Sequence, residues 1–264
     1  MGQVGKFVIL TRIGFAARGL IYILIGYLAL ASGRTEDSAG ILEYLNGGAG
    51  KLLLALIAAG LVGYGAWRLI DAGFDTQGRG SDAKGVALRF GGAVSGLVHL
   101  GLAFLAASLV AGGNSEGGSA EKAGAEAALA LPGGGMLLLA VAAALFAAGL
   151  FQIVKAVRVE FLRHLDPDAA RRPWIAWIGR AGFVARSAVF LIIALSLWRA
   201  GYRERAGEAQ GAGEALAALP GNLQLAVAGG LVLFGMFSLV EARYRQINDP
   251  HVVSRLRSVG DSLH

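Results

Sequence analysis

Five ionisable side chains stand inside or at the edges of long apolar stretches: Arg18, Asp71, His99, Arg186 and Glu241. A charged group at membrane depth is costly, so such residues are candidates for function. Arg18 and Arg186 each follow, by six residues, an arginine that opens their apolar run, which is roughly 9 Å along a helix. Two interpretations stay open. The guanidinium groups extend back to the lipid headgroups, or they form a binding site or pathway within the protein.

The acids accompany the arginines. The chain contains three copies of one pattern. The first copy carries Arg18 and Asp71, the second carries Ser95 and Lys155 at the equivalent positions, and the third carries Arg186 and Glu241. The middle copy has lost the arginine and reversed the charge of the acid, as expected when an ion pair is abandoned. We therefore predict two ion pairs, Arg18–Asp71 and Arg186–Glu241. Because only three copies exist, coincidence is the alternative.

His99 lies in the middle of an apolar stretch, where the other copies have Tyr22 and Phe190. An imidazole at this depth is either a proton-relay or pore group, or a neutral ring hydrogen-bonded to a neighbouring helix. The chain has no cysteine and no second histidine at ligand spacing, so neither a metal site nor a cofactor is expected. No serine has a base at a recognisable spacing, so catalysis is not expected either.

These residues recur because one two-helix unit is repeated three times. The first helix of each unit opens with related residues, at 12–22, 89–99 and 180–190. The second ends with a similar order of small, aromatic, aliphatic and charged residues, at 65–72, 149–156 and 235–242. Connectors with an apolar face lie between them, at 42–47, 129–133 and 216–221. Each connector ends in Asn-Gly or Pro-Gly, which stop helices, so it is predicted to be a short helix on the membrane surface.

Composition places the units in a membrane. The 264 residues are 55% hydrophobic and 16% charged, whereas soluble domains have about a quarter charged residues. Six apolar runs are long enough to cross a hydrocarbon core of about 30 Å, at about 9–32, 52–70, 87–111, 135–156, 175–199 and 223–241. Helices satisfy their own backbone hydrogen bonds, and the runs lack the alternation of a β-barrel. The predicted fold is an all-α, integral membrane six-helix bundle.

Charge predicts the orientation. Fifteen Lys and Arg residues lie in the N-terminus and in the segments after the second, fourth and sixth spans, against six in the opposite connectors. Positively charged segments stay inside, so both termini are predicted to be cytoplasmic and the membrane to be the bacterial plasma (inner) membrane. The pI of about 9.9 does not indicate nucleic acid, because the basic residues lie between the spans.

Two spans per unit mean that all three units enter the membrane in the same direction. They are therefore parallel repeats, predicted to be pseudo-threefold about the membrane normal. The predicted single membrane domain is 1–264, with repeats at about 9–74, 87–160 and 175–244 and a cytoplasmic tail at 245–264. Small residues such as Gly60, Gly92 and Gly96 are expected to let the helices approach closely.

Three motifs together resemble a known family: the repeated Arg-x-Gly-Phe-x-Ala-Arg-Gly opening, the Leu-Pro-Gly connector and the Gly-x-aromatic-x-x-x-Glu-Ala-Arg-Tyr ending at 235–244. They are similar to the bacterial membrane proteins called the domain of unknown function 1206 family. The resemblance covers essentially the whole chain and implies six helices in three pairs, but no activity. The middle repeat departs from the pattern, with Gly92 for the aromatic residue and Ser95 for the second arginine.

Two classes of function follow. The first is a structural or interaction protein, whose partners are anionic lipid headgroups at the cytoplasmic face, another protein or a second copy of the chain. The second is a transporter or channel for small solutes or ions, with His99 and the arginines along the axis between the repeats. We favour the first, because Asp71 and Glu241 lie at span edges, whereas coupled transport usually places acids within spans. An enzyme is not expected.

Overall fold

The computed structural model describes residues 3–32, 35, 41–42, 44–46, 50–75, 78–112 and 120–246. Its α-helices are α1 (Gln3–Ser32), α2 (Gly50–Phe74), α3 (Ala83–Val110), α4 (Ala120–Leu129), α5 (Gly134–Arg158), α6 (Pro167–Ala170), α7 (Pro173–Arg203), α8 (Ala212–Ala217) and α9 (Gly221–Tyr244). Two short 3-10 helices, Glu160–His164 and Ala206–Glu208, join them. The predicted tail lies outside the described residues beyond Gln246.

Six of these helices are long and apolar enough to cross a membrane, namely α1, α2, α3, α5, α7 and α9. This confirms the prediction of an all-α, multi-pass membrane protein. The helices extend beyond several of the predicted spans because their polar ends continue the same backbone hydrogen bonding. The clearest case is α7, predicted at 175–199, whose spanning segment is Pro173–Arg203.

Local residue chemistry sets the helix ends. The carboxylate of Asp82 caps α3 by accepting a hydrogen bond from the backbone N–H of Gly85, 3.0 Å away, which satisfies one of the unpaired donors of the first turn. Pro173 opens α7, where its fixed φ suits a first helical residue. The connector helices α4 and α8 lie mostly before the predicted segments 129–133 and 216–221 and end shortly before Pro132-Gly133 and Pro220-Gly221.

The second helix of each unit packs along the first helix of the next unit: α2 on α3, α5 on α7, and α9 on α1. Two small residues meet at each crossing, and the three pairs are Gly65 with Gly96, Gly149 with Ser187, and Gly235 with Gly19. A Cβ added at Gly65 would lie 2.9 Å from the carbonyl oxygen of Gly96. Such close backbone approach is a main source of helix association in lipid.

The two helices of one unit pack together in the first and third units. A Cβ added at Gly14 would lie 2.7 Å from the Cα of Tyr64, and one at Gly182 would lie 2.5 Å from the Cα of Phe234. The equivalent Gly91 of the middle unit has no such atom within 4 Å, and α3 and α5 do not pack along each other. We call the gap between α3 and α5 the open seam. The pseudo-threefold relation therefore stays a prediction.

One continuous apolar cluster fills the end of the bundle where the first helix of each unit ends and the second begins. It takes residues from all six spans, among them Ile25, Leu61, Ala106, Leu138, Ile193 and Leu231. A second cluster, of aromatic side chains, surrounds Phe183 and Phe234 toward the other end. The charged side chains of the spans consequently lie toward that other end.

Candidate functional site

Charged side chains collect where the first helices begin and the second helices end. This polar layer contains six cations and two acids: Arg18, Arg68, Arg79, Lys155, Arg186 and Arg245, with Asp71 and Glu241. Arg18 and Arg186 lie about four turns after the starts of α1 and α7. The charges of the second helices lie within about two turns of the helix ends or in the loops that follow. Antiparallel packing brings the two sets to one level.

At the α9–α1 crossing, Arg18 is fully paired. Its Nη2 lies 2.5 Å from Oε2 of Glu241, its Nη1 donates to the hydroxyl of Tyr64 at 2.8 Å, and its Nε donates to Oγ of Ser238 at 3.1 Å. The other carboxylate oxygen of Glu241 accepts from Nη1 of Arg245 at 2.6 Å. Arg18 and Glu241 are only 7% and 5% exposed, so one carboxylate holds two buried guanidinium groups.

The predicted Arg18–Asp71 pair is therefore wrong, because Arg18 binds the acid of the third unit. Asp71 is paired elsewhere, with Nη2 of Arg79 at 3.2 Å and Nη1 of Arg68 at 3.9 Å. Arg79 lies in the loop after α2 and also donates to the carbonyl of Leu88 on α3. At the α2–α3 crossing the cation thus comes from α2 and its loop instead of from α3.

The predicted Arg186–Glu241 pair is also wrong. Arg186 donates from Nε to the hydroxyl of Tyr22 at 3.0 Å and from Nη1 to Oε1 of Gln152 at 3.3 Å. The acid position of α5 is occupied by Lys155, whose Nζ lies 5.0 Å from the ring centroid of Phe151 and 6.0 Å from that of Phe183. Within the described residues, no carboxylate is paired at the α5–α7 crossing.

The first and second helices are aligned in the same way at all three crossings. Each first helix faces the second helix of the preceding unit in the ring, because the small residues bring those two helices closest together. The equivalent partner positions on the second helices are Arg68, Gln152 and Ser238, and one turn later Asp71, Lys155 and Glu241. The two sequence-predicted pairs assumed partners within one unit. Arg18 does pair with an acid, but with that of another unit, and Arg186 binds Tyr22 and Gln152 instead of an acid.

Aromatic rings connect the two arginines of the first helices. The guanidinium carbon of Arg18 lies 5.1 Å from the ring centroid of Phe234, and that of Arg186 lies 5.0 Å from it. Tyr22 meets the same ring edge-on at 4.8 Å. Cation–π contacts of this kind stabilise a desolvated guanidinium, so Phe234 serves both arginines at once.

His99 is hydrogen-bonded within its own helix. Its Nδ1 lies 2.6 Å from the carbonyl oxygen of Ser95, and because that oxygen only accepts, Nδ1 carries the hydrogen. The ring packs 4.5 Å from that of Tyr64, which places it beside Arg18. Its proposed role in a relay or pore stays a prediction. No three His, Asp or Glu residues of the described ranges are grouped to hold a metal ion.

Outside the spans, the segment after α5 is bound to the end of α9. The backbone N–H of Asp166 donates to the carbonyl of Tyr244 at 2.8 Å, and that of Gln246 donates to the carbonyl of His164 at 2.9 Å. Burial first, and then the positive charges of Arg245, Arg163, Lys155 and Arg79, lower the pKa of His164 to about 3. The low pKa therefore reflects both the burial of the ring and the positive charge at this end.

Sequence reasoning missed several members of this layer. Arg68, Gln152 and Ser238 occupy one equivalent position and are all polar in apolar helices, a signal that comparison of the three units contains. Arg79 and Arg245 lie in loops, where they count toward orientation, and nothing local identifies them as partners of Asp71 and Glu241.

Comparison with known proteins gives a family. The family described as Domain of Unknown Function (DUF1206) matches residues 13–75, 90–159 and 181–245. An uncharacterized protein of Bacillus subtilis (strain 168), YxxB, is 32% identical over 249 residues, which is 89% of this chain and 90% of that protein. No solved structure matches the chain. Neither match carries an activity in its description.

Proposed function

The chain belongs to the family described as Domain of Unknown Function (DUF1206), and we propose that it is a structural membrane bundle that binds anionic phospholipid. In this proposal both termini are cytoplasmic, the membrane is the bacterial inner membrane, and the polar layer meets the headgroups of the inner leaflet. The observation that carries the proposal is the charge of that layer, with six cations against two acids.

Further cations surround the layer at the same end. Arg163, Arg171 and Arg172 are exposed and follow the ends of α5 and α6. Each Lys or Arg near an anionic membrane surface contributes about 1 kcal/mol to binding. These exposed arginines beside a partly buried cationic layer support retention of anionic lipids in preference to zwitterionic ones.

The packing of the opposite end supports binding over conduction. The apolar cluster there takes residues from all six spans, whereas an ion path would need polar groups or water along its whole length. The alternative of a transporter along the axis therefore has support at one end of the bundle only.

The experiment is native mass spectrometry of the protein released from nanodiscs of mixed phosphatidylglycerol and phosphatidylcholine. The expected result is retention of phosphatidylglycerol in excess of its mole fraction, weakening as salt rises because exposed charges are screened. Retention of the two lipids in proportion to their supply would overturn the proposal.

The orientation is tested separately with single cysteines, since the chain has none of its own. A cysteine in place of Gly78 should react with a membrane-impermeant thiol reagent only from the cytoplasmic side.

A further inference from the structure

We propose that the α5–α7 crossing is an anion site that holds one phosphate group between Arg186, Gln152 and Lys155. The inference rests on the proposed function, since it names the place where one anionic headgroup binds. A phosphodiester of a lipid headgroup and free inorganic phosphate share this chemistry, and the experiment below separates them.

Comparison of the three equivalent crossings singles out this one. Glu241 neutralises cations at the α9–α1 crossing, and Asp71 does so at the α2–α3 crossing. The same position carries Lys155 at the α5–α7 crossing, opposite Arg186. In the part of the chain that the structure describes, two cations therefore face one interface from two helices and neither forms an ion pair with a carboxylate, so an external anion would supply the missing negative charge.

The amide of Gln152 provides the second observation. Its Oε1 must face Arg186, because a guanidinium group has only donors, and the two atoms are 3.3 Å apart. The Nε2 of the same amide is then left over, and among the described residues it is buried without a hydrogen-bond partner, in a residue that is 6% exposed. A buried donor without an acceptor is costly, so a bound oxyanion would satisfy it.

The remaining donors are available from both helices. Arg186 uses Nε and Nη1 for Tyr22 and Gln152, and its Nη2 makes no hydrogen bond among the described residues. Among the described residues, the Nζ of Lys155 contacts the rings of Phe151 and Phe183. Gln152 and Lys155 lie three residues apart and so share one face of α5. This face is turned toward Phe183 and Arg186 on α7. Lys155 is half-buried, and it lies one turn from the end of α5, so the site is reached from the basic end.

Two cationic side chains and one amide donor are the kinds of group that bind an oxyanion. Arg binds phosphate through fixed, charge-assisted hydrogen bonds, while Lys supplies a point charge. The chemical class is therefore a phosphate monoester or diester, or phosphate itself.

The decisive variant is Lys155→Glu, and its matched control is Arg158→Glu. Both change the charge of α5 by the same amount within one turn, but Arg158 is exposed and pairs only with Glu160 at 3.9 Å. The double variant Q152S/K155E reproduces the residues that the third unit carries at Ser238 and Glu241, so the interface has an acid for Arg186. Should Lys155→Glu fail to fold, Lys155→Met removes the charge while keeping the apolar stem.

Two arms identify the source of the anion. In the lipid arm, native mass spectrometry measures retained phosphatidylglycerol. The wild type and Arg158→Glu should keep one tightly bound molecule that Lys155→Glu and Q152S/K155E bind about tenfold or more weakly. In the phosphate arm, inorganic phosphate should raise the unfolding temperature of the wild type and of Arg158→Glu, and not that of Lys155→Glu. A loss in the lipid arm alone assigns the site to a headgroup, and a loss in the phosphate arm assigns it to free phosphate.

Equal lipid retention and phosphate response in Lys155→Glu and Arg158→Glu would overturn the site and leave the proposed function standing. A wild type that neither prefers phosphatidylglycerol nor responds to phosphate would overturn both.

Discussion

The middle unit and its two neighbours have the same helices but different contacts. In the first and third units a glycine of the first helix touches an aromatic residue of the second, Gly14 on Tyr64 and Gly182 on Phe234. In the middle unit the equivalent glycine, Gly91, faces no such atom, and Ala148 stands where the aromatic residue would be. The contact between units, by contrast, recurs at all three crossings.

The difference teaches that the polar and aromatic residues of a unit act as a set. The middle unit has lost the aromatic rings of both helices, the arginine and the acid together, at Gly92, Ala148, Ser95 and Lys155. Without them α3 and α5 do not pack along each other, whereas the small residues that join α2 to α3 and α5 to α7 remain. The small residues therefore hold neighbouring units together, and the larger set closes each unit.

The largest expected effect concerns the carboxylate that the middle unit lacks. Glu241→Gln leaves Arg18 and Arg245 buried beside a neutral amide, and breaking a buried ion pair costs about 3–5 kcal/mol. The unfolding midpoint in detergent should fall accordingly. The control is Glu208→Gln, which removes an exposed pair with Arg203 at 3.0 Å and should cost at most about 1 kcal/mol. A similar small loss for both variants would mean that Glu241 does not carry the α9–α1 crossing.

A second test sharpens the comparison at the repeated glycine. Gly14→Ala and Gly182→Ala place a Cβ against the backbones of Tyr64 and Phe234, and overpacking typically costs about 1–3 kcal/mol. Gly91→Ala places it in open space and should stabilise α3 by up to about 1 kcal/mol, because alanine favours helix over glycine. Unfolding midpoints of the three variants measure this. Equal losses at all three glycines would contradict the open seam.

The smallest expected effect is a pH dependence at the basic end. The pKa of His164 is lowered by burial and by nearby cations to about 3 in the folded protein, against about 6.5 when unfolded. Between these values the unfolded state binds more protons, so stability falls as the pH is lowered from about 6.5. The unfolding midpoint should therefore drop less between pH 7 and pH 5 in His164→Asn than in the wild type. Identical slopes would show that His164 is not held neutral by its surroundings.

Much of the fold follows from the sequence, because hydrophobic length and repeated motifs are local properties. The six spans and the three-unit organisation needed no knowledge of which helices touch. The close approaches at Gly60 and Gly96 followed in the same way, since small residues in spans mark helix contacts. The bounds were least accurate where polar residues extend a helix, as at the end of α7.

The partners in the polar layer could not be read from the sequence. The sequence pattern placed Arg18, Asp71, Arg186 and Glu241 at the correct depth in the bundle. It does not state whether an arginine binds a residue of its own unit or one of the preceding unit. That choice depends on which helices approach most closely, and the crossing of Gly19 with Gly235 decides it. The open seam could not be predicted from the sequence either. Gly92 and Ser95 indicated that the middle unit departs from the repeated pattern, but not that α3 and α5 do not pack along each other.

The most direct test of the account is disulfide formation within the three units, which a chain without cysteine makes clean. The equivalent pairs are A17C/G60C, V94C/A144C and A185C/G230C. In the first and third units a Cβ added at the glycine would lie 2.4 Å from that of the alanine. A shift of the two helices by roughly 1–2 Å reaches the Cβ spacing of a disulfide, so mild oxidation in membranes should cross-link both pairs. The V94C/A144C pair should stay unlinked, because α3 and α5 lie apart at the open seam. Cross-linking of all three pairs at one rate would contradict the account, since the middle unit would then be closed like its neighbours.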